Sequence, residues 1–319
     1  MARSPELLDP QTRPDIRPGA RSWRRPRTPD LLDHQKKLAW WLILPAVFVV
    51  ALVIGYPLLQ VIAYSFMEYR LDGVAPPRFV GLANYAFIFS DPEFWQSVKN
   101  TLFFAFFSVS IEVVLGLVIA MVANSKFKGR TLLRVAMLVP WAIPTVVSSQ
   151  IWKWMFNDIY GVANIILTNL HIIPEKIAWL ATPATALPVI IAVDVWKTTP
   201  FMALLLLAGL GLISSELYEA AEIDGATGIK KFFRITLPLL MPTLLVAVIF
   251  RTLDALRVFD IFFVMVGGQG DMATMAIYNR QQLIDYLDAG TGSAASIIIL
   301  SIIMLFVVIY TRLSKTSFE

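Results

Sequence analysis

Six ionisable side chains interrupt the most apolar stretches of this 319-residue sequence: Glu112, Asp194, Lys197, Arg251, Asp254 and Arg257. Asp194 and Lys197 are three residues apart, and the same spacing relates the last three, so each group would occupy one face of a helix. An ionisable group at the centre of a membrane span costs about 2.5–3.5 kcal/mol on insertion scales. Residues kept at that cost are candidates for a structural or functional role.

Three interpretations of these side chains are open. In the first, Asp194 pairs with Lys197, and Asp254 with a neighbouring arginine, within single helices and only to fix helix packing. In the second, they line a path for a polar solute, since carboxylates accept and guanidinium groups donate hydrogen bonds. In the third, Glu112, Asp194 and Asp254 form a relay for ions or protons.

The composition places these groups in a membrane protein. Hydrophobic residues make up 57% and charged residues 16% of the sequence, against about 25% charged residues in soluble domains. Much of the surface must therefore face lipid. The sequence has no cysteine, which excludes disulfides and thiolate metal sites. Its two histidines, His34 and His171, are more typical of loop residues than of metal ligands.

Six apolar stretches reach the length of about 20 residues that a transmembrane helix needs. They are 38–63, 100–123, 132–156, 186–210, 239–266 and 294–311. Prolines such as Pro140, Pro144 and Pro242 fall inside them, and a packed bundle tolerates proline where neighbouring helices satisfy the freed carbonyls. The sequence therefore predicts an all-α membrane protein with six transmembrane helices.

The basic residues predict the orientation of this bundle. Residues 1–37 hold nine Lys and Arg and five Asp and Glu, which accounts for the whole net charge of +4. This proline-rich segment predicts a disordered basic tail, not a nucleic-acid surface, and residues 38–319 form the transmembrane domain. With the N-terminus inside, the segments 1–37, 124–134, 211–238 and 312–319 hold 18 of the 27 basic residues. The positive-inside rule then predicts that both termini are cytoplasmic.

A polar segment, EAAEIDGATGIKKFFRITLP (219–238), lies on the predicted cytoplasmic side. Ser214 or Ser215 can cap a helix before it, and Gly225 can end that helix, so the pattern predicts a helix, a turn and a second helix. Ala220 and Ala221 leave little side-chain bulk. Two interpretations follow: the helix docks in a partner's groove, or it only lies on lipid headgroups.

This segment resembles a known motif. Glu219-Ala220-Ala221, then Asp224-Gly225-Ala226, then Ile235, Leu237 and Pro238 are similar to the EAA loop in permease subunits of bacterial binding-protein-dependent ABC importers. The resemblance implies that the loop, about residues 213–238, forms the coupling helix that docks on a cytoplasmic ATPase subunit. The implied coupling residues are Glu219, Ala220, Ala221, Asp224, Gly225 and Ala226.

The resemblance covers nearly the whole chain from residue 38. Stretches such as VWKTTPFMALLLLAGL (195–210) and FRTLDALRVFD (250–260) are most similar to permeases for trehalose, maltose and related α-glucosides. They imply the type I ABC importer permease fold in the bacterial inner membrane, and ATP-driven import of a sugar such as a disaccharide by alternating access. The implied partners are a second homologous permease subunit, an ATPase subunit dimer, an extracytoplasmic sugar-binding protein and membrane lipid. GGQG (267–270) departs from the Gly-Gly-Pro that is frequent in the family, which affects only outer contacts.

In that family, sugar contacts cluster on the span before the coupling loop and on the span after it. Aligned by the loop, the positions at or near those contacts are Asp194, Thr198, Phe201, Arg251, Asp254 and Val258. Trp196, Lys197 and Arg257 complete the predicted substrate-binding set. Trp196, Phe201 or Phe259 would offer an aromatic face to a sugar ring.

The sequence lacks the G-x-x-x-x-G-K-[ST] run of a nucleotide-binding loop, and GATGIKK (225–231) has a different spacing. This subunit is therefore predicted to be no enzyme and to hold no cofactor, with ATP and Mg bound by the partner ATPase. A membrane scaffold or enzyme finds no support, since no nucleophile with a base and no metal-ligand pattern is present. The alternative function is an ion-coupled secondary transporter or channel, which would leave the loop unexplained.

Overall fold

The computed structural model describes residues 29–268 and 270–315. Within these residues, five helices are long and apolar enough to cross a membrane, and a sixth span results if one sharply bent helix pair is counted as a span. Helices dominate because lipid offers the backbone no hydrogen-bond partner, so each N–H and C=O must be satisfied within the chain. The predicted all-α fold with six spans agrees with this count.

The chain divides into two compact units between residues 57 and 58, and the described residues of the first unit are 29–57. The first contains α1 (Pro29–Val50) and a π-helical turn (Ala51–Gly55), and α2 (Tyr56–Ser65) begins at its end. Of the predicted disordered tail, residues 1–28 lie outside the described residues, whereas the remainder is already helical. Proline is favoured at the first position of a helix, and no further proline follows until Pro45, so the helix can begin earlier than hydropathy indicates.

A short segment with two small strands follows α2. Strand β1 (Met67–Glu68) pairs antiparallel with β2 (Arg78–Phe79), and α3 (Ala83–Ser90) leads into α4 (Pro92–Asn124). Asp91 caps α4, because its carboxylate accepts a hydrogen bond of 2.9 Å from the backbone N–H of Glu93. The long α4 therefore begins at a defined residue.

The third predicted span is broken. It consists of α5 (Arg130–Ala136), α6 (Val139–Ala142) and α7 (Thr145–Met155), and the two parts meet at an angle of 88°. The predicted span 132–156 is present as this bent pair. The break falls where Pro144, which has no N–H, holds the preceding Ile143 in an extended conformation, with φ −73° and ψ 131°. After it come α8 (Val162–Asn169) and α9 (Pro183–Leu210).

Helix α9 is the most buried span, with 67% of its apolar window inside the protein. It packs along α4, where Gly116 permits a close approach: a Cβ there would lie 2.6 Å from Met202 Cγ. Small residues at such crossings are typical of membrane helices, which associate through close packing rather than hydrophobic expulsion. Helices α4 and α9 therefore form the centre of the second unit, and α12 packs against both.

The C-terminal half begins with α10 (Ser215–Ile223) and α11 (Gly228–Lys231). A π-helical turn (Phe232–Thr236) joins α11 to α12 (Leu237–Ala255) in one helix, so the predicted second helix of the loop runs directly into the fifth span.

The predicted span 239–266 ends early, at Ala255, because the backbone of Phe259 leaves the helical region (φ −134°, ψ −62°). Its remainder is a separate helix, α13 (Asp260–Val266). A short 3-10 turn (Gly270–Met272), α14 (Met275–Arg280), a π turn (Gln281–Asp285) and α15 (Ala289–Lys315) complete the chain.

Candidate functional site

A buried cluster of charged and hydroxyl groups lies where α4, α9 and α12 meet. Its centre is Arg251 of α12, which is only 3% exposed. Arg251 Nε donates to Glu112 Oε2 at 2.5 Å and Nη2 donates to Glu112 Oε1 at 3.0 Å, a bidentate pair with a fully buried residue of α4. Nη2 also donates to Asp194 of α9, and Nη1 donates to Asp254 Oδ2 at 3.2 Å. One guanidinium group thus joins three helices.

Two hydroxyls complete this set, which we call the Arg251 cluster: Arg251, Glu112, Asp194, Asp254, Ser108 and Thr198. Ser108 Oγ lies 2.7 Å from Glu112 Oε1 and 2.5 Å from Asp194 Oδ2, so its single proton can serve either carboxylate. Thr198 Oγ1 lies 2.7 Å from Glu112 Oε1. The predicted pair within α12, Arg251 with Asp254, is present, whereas Asp194 pairs with Arg251 of another helix.

A cavity of about 290 Å³ opens beside the cluster, and we call it the Trp141 cavity. Its lining residues come from α6, α9 and α12 and the residues just after α12: Trp141, Thr198, Phe201, Phe250, Arg251, Asp254 and Arg257. The rings of Trp141 and Phe201 are stacked, with centroids 6.0 Å apart and planes inclined by 13°. Flat apolar walls with a few polar groups are typical of small-molecule sites. The cavity can therefore hold a solute with both an apolar face and hydrogen-bonding edges.

The structure distributes the nine predicted substrate-binding residues over different surroundings. Five of them line the Trp141 cavity: Thr198, Phe201, Arg251, Asp254 and Arg257. Asp194 faces Arg251, and Lys197 Nζ donates to the carbonyl of Ile143 at 2.6 Å. Trp196 packs edge-on against Trp152 at 5.3 Å, and Val258 packs against the core around Phe104. As contacts to a solute, all nine stay predictions.

Two aromatic residues of the cavity, Trp141 and Phe250, are absent from the predicted set. Phe259, the third aromatic residue considered, stacks on Phe263 at 5.1 Å and does not line the cavity. A signal for Trp141 exists in the sequence, because it lies between Pro140 and Pro144, and proline is a common cause of a sharp break in a helix.

The EAA segment forms the helix and turn that the sequence predicts. Ser214 caps α10 by accepting from the N–H of Glu216 at 3.3 Å. Gly225 ends the helix with φ +72°, a conformation that L side chains rarely adopt. Of the predicted coupling residues, Ala221 and Ala226 are half-buried, and the others are exposed: Glu219, Ala220, Asp224 and Gly225.

Apolar side chains beside this helix are uncovered. Leu212 is 86% and Ile223 is 88% exposed. Exposed large apolar groups at one end of a membrane protein, next to a helix with small side chains, are typical of a protein docking surface. The arrangement therefore suits a partner that covers α10.

Two side-chain contacts fix α10 to the helix that follows it. Tyr218 Oη lies 3.0 Å from Thr236 Oγ1 at the start of the fifth span. Lys231 Nζ lies 2.6 Å from Glu222 Oε1, and this hydrogen bond together with the lysine charge lowers the pKa of Glu222. Displacement of α10 would thus be transmitted to α12 by these contacts as well as by the chain itself.

On the opposite side of the second unit, polar contacts hold the segment around α14 against α4. Asn100 Nδ2 donates to the carbonyls of Asp271 and Ala273 at 2.7 and 2.9 Å. Tyr278 Oη donates to Asp91 Oδ2 at 2.7 Å, and burial followed by this contact raises the pKa of Tyr278. In the GGQG sequence, residue 269 lies outside the described residues. The effect of this sequence on contacts with a partner stays a prediction.

Comparison with known proteins shows which family this chain resembles in sequence. Residues 112–317 match the family described as "Binding-protein-dependent transport system inner membrane component". The chain is 44% identical to the trehalose/maltose transport system permease protein MalF of Thermococcus litoralis, over 90% of this chain and 97% of that protein. It is 36% identical to the trehalose transport system permease protein SugA of Mycobacterium tuberculosis, over 88% and 89% of the two chains.

A solved structure shares the fold. A chain of a bacterial ABC transporter involved in the import of the acidic polysaccharide alginate superposes with a TM-score of 0.78, at 22% identity, over 90% of this chain and 98% of that one. The overall fold of this chain therefore has a counterpart of known structure.

Proposed function

The chain belongs to the family of binding-protein-dependent transport system inner membrane components, and from this premise we propose that it carries a neutral disaccharide of the trehalose or maltose type by alternating access. It is a permease subunit of an ABC sugar importer, a multi-pass protein of the inner membrane, and not an enzyme. The fold is that of the type I permeases. The finer proposal concerns the solute and the way in which it is moved.

The observation that carries the proposal is the Trp141 cavity. A sugar ring offers an apolar face, which stacks on an aromatic wall, and hydroxyls at its edge, which need donors and acceptors. Trp141 and Phe201 supply the wall, and Thr198, Asp254 and Arg257 supply hydrogen-bonding groups. Both requirements are met within one cavity between the spans that flank the coupling loop.

The charges around the cavity favour a neutral sugar over an acidic one. Arg251 is neutralised by Glu112 and Asp194, and the remaining lining charges, Asp254 and Arg257, have opposite signs. An acidic saccharide such as alginate, named for the superposed transporter, would need an excess of positive charge here. When Glu112 and Asp194, which bind Arg251, are counted with the lining, the side chains around the cavity have no excess of positive charge.

Energy for transport is proposed to enter through α10. This helix is joined to α9 at one end and to the helix of α12 at the other, and both helices supply walls of the Trp141 cavity. An ATPase subunit dimer that binds ATP and Mg would grip α10 on the cytoplasmic side, with both termini of this chain on that side. A second permease subunit would complete the path, and an extracytoplasmic sugar-binding protein would deliver the solute.

An ion or proton relay gains no support from this geometry. Such a relay needs carboxylates that exchange protons along a wet path, whereas Glu112 and Asp194 are buried and both bound to Arg251. The secondary-transporter alternative also assigns no role to the exposed α10.

The proposal is tested by reconstituting the complex with its partner subunits in liposomes. We expect ATP-driven, vanadate-sensitive uptake of labelled trehalose or maltose and no uptake of a disaccharide that carries a uronic acid. Uptake without ATP, or a preference for the acidic disaccharide, would contradict it. The empty-vector membrane fraction, carried through the same steps, is the control.

A further inference from the structure

The break in the bent span places the backbone carbonyl of Ile143 outside any helix, two residues after Trp141 of the cavity. Ile143 lies between α6 and α7 in an extended conformation, because Pro144 cannot continue the helix. Its carbonyl accepts a hydrogen bond of 2.6 Å from Lys197 Nζ of α9. A side chain of α9 therefore supplies the hydrogen bond that the carbonyl of Ile143 does not receive from a helix.

Lys197 reaches this carbonyl from a buried position. The residue is only 7% exposed, and the negative charges that act on its ammonium group are those of Asp194 and Asp254. A buried ammonium group is costly unless it is paired and hydrogen-bonded. A charge-assisted hydrogen bond is also about twice as strong as a neutral one. The break at Ile143 is thus fixed to α9 by a strong contact.

The aromatic wall of the Trp141 cavity depends on the same two elements. Trp141 precedes Ile143 by two residues, and Phe201 follows Lys197 by four residues, one helical turn along the same face of α9. The Trp141–Phe201 stack and the Lys197–Ile143 bond are therefore two neighbouring contacts between α6 and α9. If the bond is lost, this contact between the bent span and α9 is weakened, and we expect the two rings to leave their nearly parallel arrangement.

We propose that Lys197 is a positioning residue of the substrate cavity, which holds Trp141 parallel to Phe201 by binding the carbonyl of Ile143. Its ammonium group is engaged at the break and is not part of the cavity lining, so it acts on the sugar through Trp141. The effect on sugar affinity rests on the proposed function, whereas the role of Lys197 in holding the bend does not.

The first experiment measures the Kd of radiolabelled trehalose and maltose for the assembled transporter. We expect Lys197→Met to raise the Kd about tenfold or more and Lys197→Arg, which keeps a charged donor, to keep most of the affinity. Lys153→Met is the matched control. Lys153 donates to the carbonyl of Val264 at 2.9 Å, which ties the other half of the bent span to α13 without touching the Trp141 cavity. Equal effects of the two methionine variants would overturn the proposal.

A double-mutant cycle asks whether Lys197 acts through Trp141. In a Trp141→Ala background the aromatic wall is already gone, so Lys197→Met should weaken the Kd less than twofold further. If Lys197→Met weakens the Kd as much in the Trp141→Ala background as in the wild type, the lysine contacts the sugar directly, and the proposal is overturned. If the methionine variant does not assemble, Lys197→Gln takes its place: its shorter side chain keeps a donor but no charge, so we expect the Kd to rise less than for a full loss of the hydrogen bond and more than in Lys197→Arg.

The second experiment measures the bend directly and needs no sugar. The sequence has no cysteine, so nitroxide labels on cysteines introduced at the exposed positions Leu132 and Ile151 report the distance across the break. We expect Lys197→Met to broaden the distance distribution, and Lys153→Met and Lys197→Arg to leave it narrow. An unchanged distribution in Lys197→Met overturns the positioning role. A wild-type complex that binds neither sugar overturns the proposed function, and this arm still decides the role of Lys197.

Discussion

Replacement of Arg251 by methionine should destabilise the protein far more than any exposed substitution on the same helix. The variant removes the only guanidinium group that contacts both Glu112 and Asp194 among the described residues. Both carboxylates would then be left deep in the protein, where Glu112 is fully buried. Methionine approximately preserves the apolar volume of the side chain, so the loss reports on charge rather than on a cavity.

The size of the effect follows from the burial of the partners. Removal of one member of a buried ion pair costs about 3–5 kcal/mol, since an uncompensated charge stays behind. Hydroxyl donors remain for both acids, since Ser108 reaches both and Thr198 Oγ1 lies 2.7 Å from Glu112 Oε1, but a hydroxyl does not replace the lost positive charge. We therefore expect the loss in unfolding free energy to lie within that range. Adding Glu112→Gln to the variant should recover part of it, because one buried charge fewer remains.

Unfolding free energies are measured by denaturant titration in mixed micelles, followed by tryptophan fluorescence. Arg257→Met is the matched control: it removes the same chemical group near the end of the same helix, at an exposed position. A surface substitution of this kind should change stability by about 0.5 kcal/mol or less. If Arg251→Met and Arg257→Met both lower the unfolding free energy by about 0.5 kcal/mol or less, Arg251 does not compensate buried charges. The Arg251 cluster is then not what joins the three helices.

Three further predictions concern the coupling loop and the cavity. Gly225→Pro should abolish uptake while membrane insertion persists, because proline requires φ near −65° and this residue has φ +72°; transport and insertion are assayed on the same vesicles. Trp141→Ala should weaken sugar affinity about tenfold through loss of the aromatic wall, measured as the Kd of labelled trehalose. The hydrogen bond and charge of Lys231 lower the folded-state pKa of Glu222. The stabilisation from the Glu222–Lys231 ion pair is therefore fully present above the ordinary glutamate pKa and is lost as the pH falls through the lowered value. In Lys231→Met, an NMR titration should show the midpoint of Glu222 back in the ordinary range.

Each of these predictions has a control in the same region. Gly228→Ala, at the first position of α11, has no steric conflict and should transport normally. Trp154→Ala removes an indole ring from α7 at an exposed position away from the cavity and should keep its sugar affinity. Normal uptake by Gly225→Pro, equal affinities of the two tryptophan variants, or an unmoved midpoint of Glu222 would each contradict the respective reasoning.

Hydropathy was sufficient to locate all six spans, because a stretch of about 20 apolar residues has few other uses. It could not place the ends of the spans or the breaks within them. The break at Ile143 follows from Pro144, and the end of α12 at Ala255 follows from the backbone of Phe259, neither of which changes the apolar character of the segment. The EAA segment was better specified, since capping serine and helix-ending glycine are local signals.

The partners of the buried charges could not be read from spacing. Asp194 and Lys197 are three residues apart, yet Asp194 binds Arg251, which is 57 residues away, and Lys197 binds a backbone carbonyl. A pair at such spacing gains only about 0.2–0.5 kcal/mol, so tertiary packing decides which charges meet. Trp141 was missed for a related reason: nothing about a single tryptophan in an apolar stretch indicates that tertiary packing places it beside Phe201.

The two kinds of contact around the cavity suggest which part of its wall can move. Arg251 holds α4, α9 and α12 in one buried network, so a force on α10, which is continuous with both α9 and the helix of α12, should displace these three helices together. Relative motion is then confined to walls outside that network. Trp141 is such a wall, because it belongs to the bent span and is held to α9 by contacts near the break rather than by buried ion pairs. We therefore expect the Trp141–Phe201 separation, more than any distance within the Arg251 cluster, to differ between the inward- and outward-open states of the transporter.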